Sequence, residues 1–272
     1  MIMEKSNIFE EFNLSGQVSI VTGGSMNLGF DMACALAQAG SNIVLTSRIY
    51  ERAQFATEKI NKTYGVETLP IEMDHCHHQQ VENMASEVMN WKGHVNILIN
   101  NAGGSSKKSE GNLFRRSPEA IKDLITINLT GPLFCCREIG RIMMGQGFGK
   151  IINVASVSGM IGRDRRIYRE SGFNEQPVDY AAAKAGIIGM TKDLAGLLSP
   201  HGIHVNAISP GGFDKGTLPD RFIEKYSALT PLGRMGRIGY DLKGVILFLA
   251  SSASDYITGH NVVVDGGFSV WK

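Results

Sequence analysis

Tyr180 and Lys184 lie four residues apart in the run Tyr180-Ala181-Ala182-Ala183-Lys184. In a helix this spacing is just over one turn, so phenol and ammonium share one face, one above the other. A tyrosine with the ordinary pKa of about 10 is a poor proton acceptor near neutral pH. Lowering that pKa by ~3 units takes roughly 4 kcal/mol of differential stabilisation, the scale of two cations in a partly desolvated site. The pair therefore suits acid/base chemistry. Any amphipathic helix can carry it by chance, however, so the surrounding elements must decide.

The elements that would position such a pair begin at the N-terminal end. Gln17 to Thr22 is a short β-branched run, followed by the turn Gly23-Gly24-Ser25-Met26-Asn27-Leu28-Gly29 and a helical stretch from Phe30 to Ala39. Strand, glycine-rich turn and helix in this order cradle a pyrophosphate. Glycines let the backbone approach the phosphates, and the helix N-terminus offers unpaired N–H groups and a positive dipole end. Ser41 to Ser47 reads as the second strand. A carboxylate at its end would bind the ribose 2'-hydroxyl of NAD, but this chain has Ser47-Arg48, which favours the 2'-phosphate of NADP, with NAD possible.

Further strands are expected at Glu67 to Met73, ending at Asp74, and at His94 to Ile99, running into Asn100-Asn101-Ala102-Gly103-Gly104. A helix from Pro118 onward contains Asn128. Lys150 to Ala155 is a fifth strand ending in Ser156, and the helical run Asp179 to Leu198 carries Tyr180 and Lys184. Ile203 to Ile208 leads into Ser209-Pro210-Gly211-Gly212; a long polar connection, Phe213 to Tyr240, then precedes a helix, Asp241 to Ala250, and a last strand, Asn261 to Asp265. Regular alternation of strand and helix indicates an α/β protein, with a doubly wound parallel sheet and helices on both faces. No linker, repeat or low-complexity tract interrupts the chain, so residues 1–272 are expected to form one domain. Ligands of such sheets bind beyond the carboxyl ends of the strands.

Composition narrows the partners. With 272 residues, 43% hydrophobic and 19% charged, the chain can bury a sizeable core, and a net charge of +1 gives no global attraction to nucleic acid or a membrane surface. Neither a signal-peptide core nor an apolar run of membrane-spanning length is seen, so a cytoplasmic location is expected. Cys34, Cys76, Cys135 and Cys136 contain no C-x-x-C pair and are expected to stay reduced. Asp74-His75-Cys76-His77-His78 reads as a polar loop rather than a metal site, since consecutive ligands rarely point at one centre.

Taken together, Thr22-Gly23-x-x-x-Asn27-Leu28-Gly29, Asp74, Asn100-Asn101-Ala102-Gly103, Asn128, Ser156, Tyr180-x-x-x-Lys184 and Pro210-Gly211 resemble the short-chain dehydrogenase/reductase family over nearly the whole chain. The resemblance implies a Rossmann sheet of about seven parallel strands, a nicotinamide cofactor and a homo-oligomer, tetramer or dimer. It implies that Tyr180 exchanges a proton with the substrate oxygen and that Ser156 holds that oxygen. Lys184 would lower the Tyr180 pKa and bind the nicotinamide ribose, and Asn128 would order a relay water. Gly23, Ser25, Asn27, Leu28, Gly29, Ser47, Arg48, Asp74, Asn100, Ala102, Gly103, Tyr180, Lys184, Pro210 and Gly211 would line the cofactor. Asp74 is expected at the adenine, Gly103 near the adenine ribose, and Pro210 and Gly211 beside the nicotinamide.

Two departures stand out. Asn27 replaces a usual glycine, but Asn tolerates positive φ and could cap the next helix. The stretch between Ser156 and Tyr180 is longer than usual in the family, and the added residues, Arg163 to Pro177, contain four Arg and three acids. Ser209 to Phe213, Thr230 to Gly236, Asp241 to Gly244 and Val264 to Gly267 resemble gluconate 5-dehydrogenase-like enzymes. With Lys107, Lys108, Arg115 and Arg116 against Glu110 beside the site, this points to an anionic sugar or sugar acid as substrate. For the insertion, ligand binding, internal ion pairing and a subunit contact stay open. The alternatives are a 3-oxoacyl thioester reductase and a non-catalytic cofactor-binding sensor or scaffold.

Overall fold

The strands are short aliphatic and β-branched runs that are buried on both faces, VSIV in the first and ILIN in the fourth, as expected of a covered parallel sheet. The computed structural model describes residues 7–104 and 111–271. In chain order the strands are β1 (Val18–Val21), β2 (Asn42–Ser47), β3 (Thr68–Glu72), β4 (Ile97–Asn100), β5 (Gly149–Val154), β6 (Ile203–Pro210), β7 (Phe213–Asp214), β8 (Gly236–Arg237) and β9 (Asn261–Val264). Seven of them form one sheet in the order β3-β2-β1-β4-β5-β6-β9, every pair parallel, and β7 with β8 makes a two-stranded ribbon.

Helices cover both faces. On one side α1 (Asn27–Gln38) and α2 (Tyr50–Tyr64) bury Met32, Leu36 and Ile60 against β1, β2 and β4. On the other, α3 (His78–Lys92) and residues 118–146 pack Val81, Met84, Val88, Ile139 and Met143 against the sheet. Residues 118–146 form α4 (Pro118–Ile125), a π turn (Thr126–Thr130) and α5 (Gly131–Gln146). The single helix expected from Pro118 is thus interrupted at Asn128. Pro132 has no N–H to offer the Asn128 carbonyl and its ring crowds that carbonyl, while the Gly131 N–H reaches back five residues to the Thr126 carbonyl.

The chain order reverses between β1 and β4, opening a crevice at their carboxyl ends. Above it stands a wall made by α6 (Arg166–Ser171), α8 (Asp220–Ala228) and the C-terminal turn. Ile167, Tyr168, Phe222, Tyr226, Met235 and Phe268 form its own apolar cluster. Phe213 to Tyr240 is therefore not a plain polar connection: Phe222 and Tyr226 recur one turn apart and give α8 a buried face. The remaining helices are α7 (Val178–Leu198) and α9 (Lys243–Ala250).

Candidate active site

The turn after β1 is locked onto the turn after β4. Asn101 Nδ2 donates to the carbonyls of Thr22 and Gly23 at 2.9 and 3.1 Å, and the N–H groups of Asn101 and Ala102 donate to Thr22 Oγ1, each at 3.0 Å. Gly29 has to lack a side chain, because a Cβ there would collide with the Asn101 amide and lie 2.7 Å from the Gly23 carbonyl oxygen. Asn27 adopts φ +50°, the one positive φ outside glycine among the described residues, as its side chain permits. No side-chain hydrogen bond caps α1 at Met26, so capping by Asn27 is not what the structure shows. The start of α1 is left without a side-chain cap, with Ser25 and Leu28 beside it half-buried. A glycine-lined cradle beneath an uncapped helix start fits a pyrophosphate.

Beyond β2, the Ser47 hydroxyl accepts from the Ile49 N–H at 3.2 Å. Arg48 is exposed and makes no hydrogen bond or ion pair among the described residues. Asp74 faces the same end. Desolvation works against its carboxylate, but hydrogen bonds from Cys76 and the charges of His75 and Arg48 outweigh it and hold the pKa below the ordinary value. Asp74, His75 and Cys76 lie together, with His75 Nε2 bonded to the Ile127 carbonyl oxygen at 2.8 Å and Asp74 Oδ1 accepting from the Cys76 N–H at 3.0 Å. Asn100 departs from expectation. Its side chain turns into the protein, donating to Asn153 Oδ1 at 2.9 Å and Cys136 Sγ at 3.1 Å, so it braces β4 against β5 rather than lining the crevice.

The proton-handling residues converge at the ends of β5 and α7. Ser156 caps the turn after β5, its hydroxyl accepting from the Ser158 N–H at 3.1 Å and lying near the Tyr180 phenol. Gly159 permits this: a Cβ there would lie 2.6 Å from the backbone of Lys184 and Ala185, so only glycine lets the turn rest on α7. Lys184 Nζ lies 5.8 Å from the Tyr180 ring centroid and donates to the Val154 carbonyl at 2.6 Å. Burial holds this ammonium down at about 8. Asn128, fully buried in the π turn, pairs with Gly104 twice, N–H to Oδ1 at 2.8 Å and Nδ2 to carbonyl at 2.9 Å. Gly103 lies against Asn128 and Lys184, its missing Cβ leaving room for the Asn128 amide. Pro210 ends β6, and Gly211 closes against Asp265, where a Cβ would come within 2.8 Å.

Burial raises the Tyr180 phenol above its ordinary value; the hydrogen bond with Ser156 and the charge of Arg163 oppose the rise, while Tyr168 adds to it. The cation acting on the phenol is thus Arg163, from the insertion.

The arginines expected to meet a substrate are otherwise engaged. Arg165 and Arg169 pair with Glu175, Arg166 with Asp164, and Glu170 with Lys225 of α8. Internal ion pairing is therefore what the insertion contains. Arg116 donates to Asp179 Oδ2 at 2.7 Å, with both side chains under 5% exposed (3% and 4%). Lys107, Lys108 and Glu110 lie outside the described residues. Among the described residues this rim exposes Leu113 and Phe114, the latter at 94%, together with polar Asn112 and Arg115. Gly159 and Pro132 receive no role from the sequence, although a proline inside a helical pattern and a glycine three residues after Ser156 are visible signals.

A family model described as enoyl-(acyl carrier protein) reductase matches residues 24–269. The chain belongs to this family, the short-chain dehydrogenases/reductases. It is an oxidoreductase that uses a nicotinamide dinucleotide and acts on a CH–OH or C=O group. The chain is 35% identical to 3-oxoacyl-[acyl-carrier-protein] reductase FabG of Aquifex aeolicus, covering 94% of this chain and 99% of that one. FabG of Staphylococcus aureus is 33% identical over 92% of this chain and 96% of its own. Among solved structures, a gluconate 5-dehydrogenase from Burkholderia cenocepacia, in complex with NADP and tartrate, is 29% identical with a TM-score of 0.87, over 97% of this chain and 99% of that one. These values correct the sugar or sugar-acid assignment. The 3-oxoacyl reductases match at higher identity than the gluconate enzyme does.

Proposed function

We propose that this short-chain dehydrogenase/reductase reduces 3-oxoacyl thioesters to 3-hydroxyacyl thioesters with NADPH. The observation that carries the substrate class is the end-to-end match, at 35% and 33% identity, to reductases of that chemistry. Leu113 and Phe114, exposed on the rim, are consistent with an acyl chain.

The dinucleotide would lie across the crevice, its pyrophosphate on the N–H groups from Gly23 to Gly29, its adenosine end by Asp74 and its 2'-phosphate on Arg48. When bound, the nicotinamide supplies the hydride. Ser156 orients the ketone oxygen by a hydrogen bond, and Tyr180 delivers the proton to that oxygen as negative charge develops on it. The phenolate left behind is stabilised by the surrounding cations and recovers its proton along the Lys184 and Asn128 side. One carbonyl gains one hydride and one proton, and the C–O double bond becomes a secondary alcohol.

The test is a spectrophotometric assay of the purified protein with NADPH and a short 3-oxoacyl thioester, on coenzyme A and on acyl carrier protein, run beside keto sugar acids. Turnover confined to the sugars would sink the proposal. Tyr180→Phe should lower kcat by ~10²- to 10⁴-fold with NADPH binding retained. Arg48→Ala should weaken NADPH binding by roughly ten- to a hundredfold, the loss of one charge-assisted contact, and leave NADH binding unchanged. Equal weakening of both would place the 2'-phosphate elsewhere.

A further inference from the structure

We propose that Arg163, in the insertion, is a positioning residue for Tyr180: it clamps the first turn of α7 and places a positive charge beside the phenol. The inference rests on Tyr180 being the proton donor.

The clamp is geometric. Arg163 Nη1 donates to Gln176 Oε1 at 3.0 Å and Nη2 to the Pro177 carbonyl at 2.8 Å. Pro177 is the N-cap of α7, where no side-chain hydrogen bond completes the cap, and Tyr180 is the third residue of the helix. Holding residues 176 and 177 therefore fixes the turn from which the phenol projects. The Tyr168 hydroxyl lies near the guanidinium, and the Tyr168 ring is buried in the aromatic cluster, 5.2 Å from Phe222 and 6.4 Å from Phe173 between centroids.

The charge is oddly placed if stability alone is considered. A cation at a helix N-terminus opposes the macrodipole, so such positions favour acids. Asp179 supplies the expected acid in the first turn, but Arg116 already engages it. The other groups facing the phenol are Ser156, Tyr168 and, on its own helix, Lys184, whose ammonium is bonded to the Val154 carbonyl. Arg163 is thus the insertion's contribution to the field at Tyr180, acting with the helix dipole to favour the phenolate that proton delivery leaves behind.

The experiment compares wild type, Arg163→Gln, Arg163→Lys and Tyr168→Phe, with Tyr180→Phe as the blank. The Tyr180 titration is read from the ultraviolet phenolate difference spectrum of the NADP⁺ complex, and the pH profile of kcat/KM is recorded in parallel. Arg163→Gln should raise the Tyr180 pKa by about one unit, the effect of removing a nearby opposite charge. Arg163→Lys should restore most of it. Tyr168→Phe, which keeps the ring packing and removes only the hydroxyl, should shift the titration slightly in the opposite direction, since that hydroxyl raises the phenol. An unchanged titration in Arg163→Gln, or a Lys variant no closer to wild type than Gln, would overturn the inference. The spectrum needs no turnover, so a failure of the thioester assay would count against the proposed substrate and leave this result standing.

Discussion

Lys184 shows how a single side chain trades stability for chemistry. Its ammonium is 5% exposed and held at about 8, against 10.5 for a free lysine, and burial is the cause. Below pH 8 both folded and unfolded chains carry the proton, and the folded one bears the whole desolvation cost. Between about 8 and 10.5 the unfolded chain keeps a proton that the folded chain has released, so this group's contribution to stability improves as pH rises through that window. Lys184→Met should therefore stabilise the fold at pH 7, by up to about 3 kcal/mol, while lowering kcat by at least tenfold. Denaturant titrations at pH 7 and pH 10 check the first part: the gain should shrink at the higher pH. A variant less stable than wild type at pH 7 would mean that the bond to Val154 outweighs the cost of burial.

At the scale of elements, the π turn between α4 and α5 presents Asn128, and Pro132 holds it open. Pro132→Ala would supply the missing N–H and let the helix close, a change worth about 1 to 3 kcal/mol in the helix's favour. The expected variant melts at the same or a higher temperature but turns over several-fold more slowly, because the Asn128 amide no longer meets Gly104. Unaltered kcat with a regular helix by crystallography would show that the turn is not needed. Elements of this kind mark the limit of what sequence alone conveys. Tyr180 with Lys184, and Thr22 through Gly29, are legible because the chemistry lies within a few consecutive residues of one helix or turn. The orientation of Asn100 is not, since β4 is buried on both faces and alternation along it distinguishes nothing. The engagement of Arg116 with Asp179 spans 63 positions and leaves no periodic trace. The arginine-rich insertion looks like an anion site until its acids are seen folded back onto it.

For the molecule as a whole, buried acids set the alkaline limit. Burial pushes the Cys76 and Cys136 thiols up to about 12, and those of Cys34 and Cys135 upward as well. Above pH 9 the unfolded chain sheds these protons and the folded chain keeps them, so each such thiol lowers stability by about 1.4 kcal/mol per pH unit. The buried lysines Lys150 and Lys184, both depressed, oppose this up to 10.5. Stability should thus decline gently from pH 9 and steeply above 10.5, and Cys136→Ala should flatten the steep part in chemical denaturation curves. A decline that begins below pH 8, or that Cys136→Ala leaves untouched, would assign alkaline unfolding to other groups.

The aromatic cluster of Tyr168, Phe222, Tyr226 and Phe268 shares no residue with the two clusters that sandwich the sheet. The wall over the crevice is therefore a separate packing unit. An evolving lineage can redraw that wall, lengthening the insertion or resurfacing α8, without disturbing the strands that carry Ser156 or the glycine turn. Such a division makes substrate choice the quickly changing character of this scaffold and cofactor chemistry the inherited one.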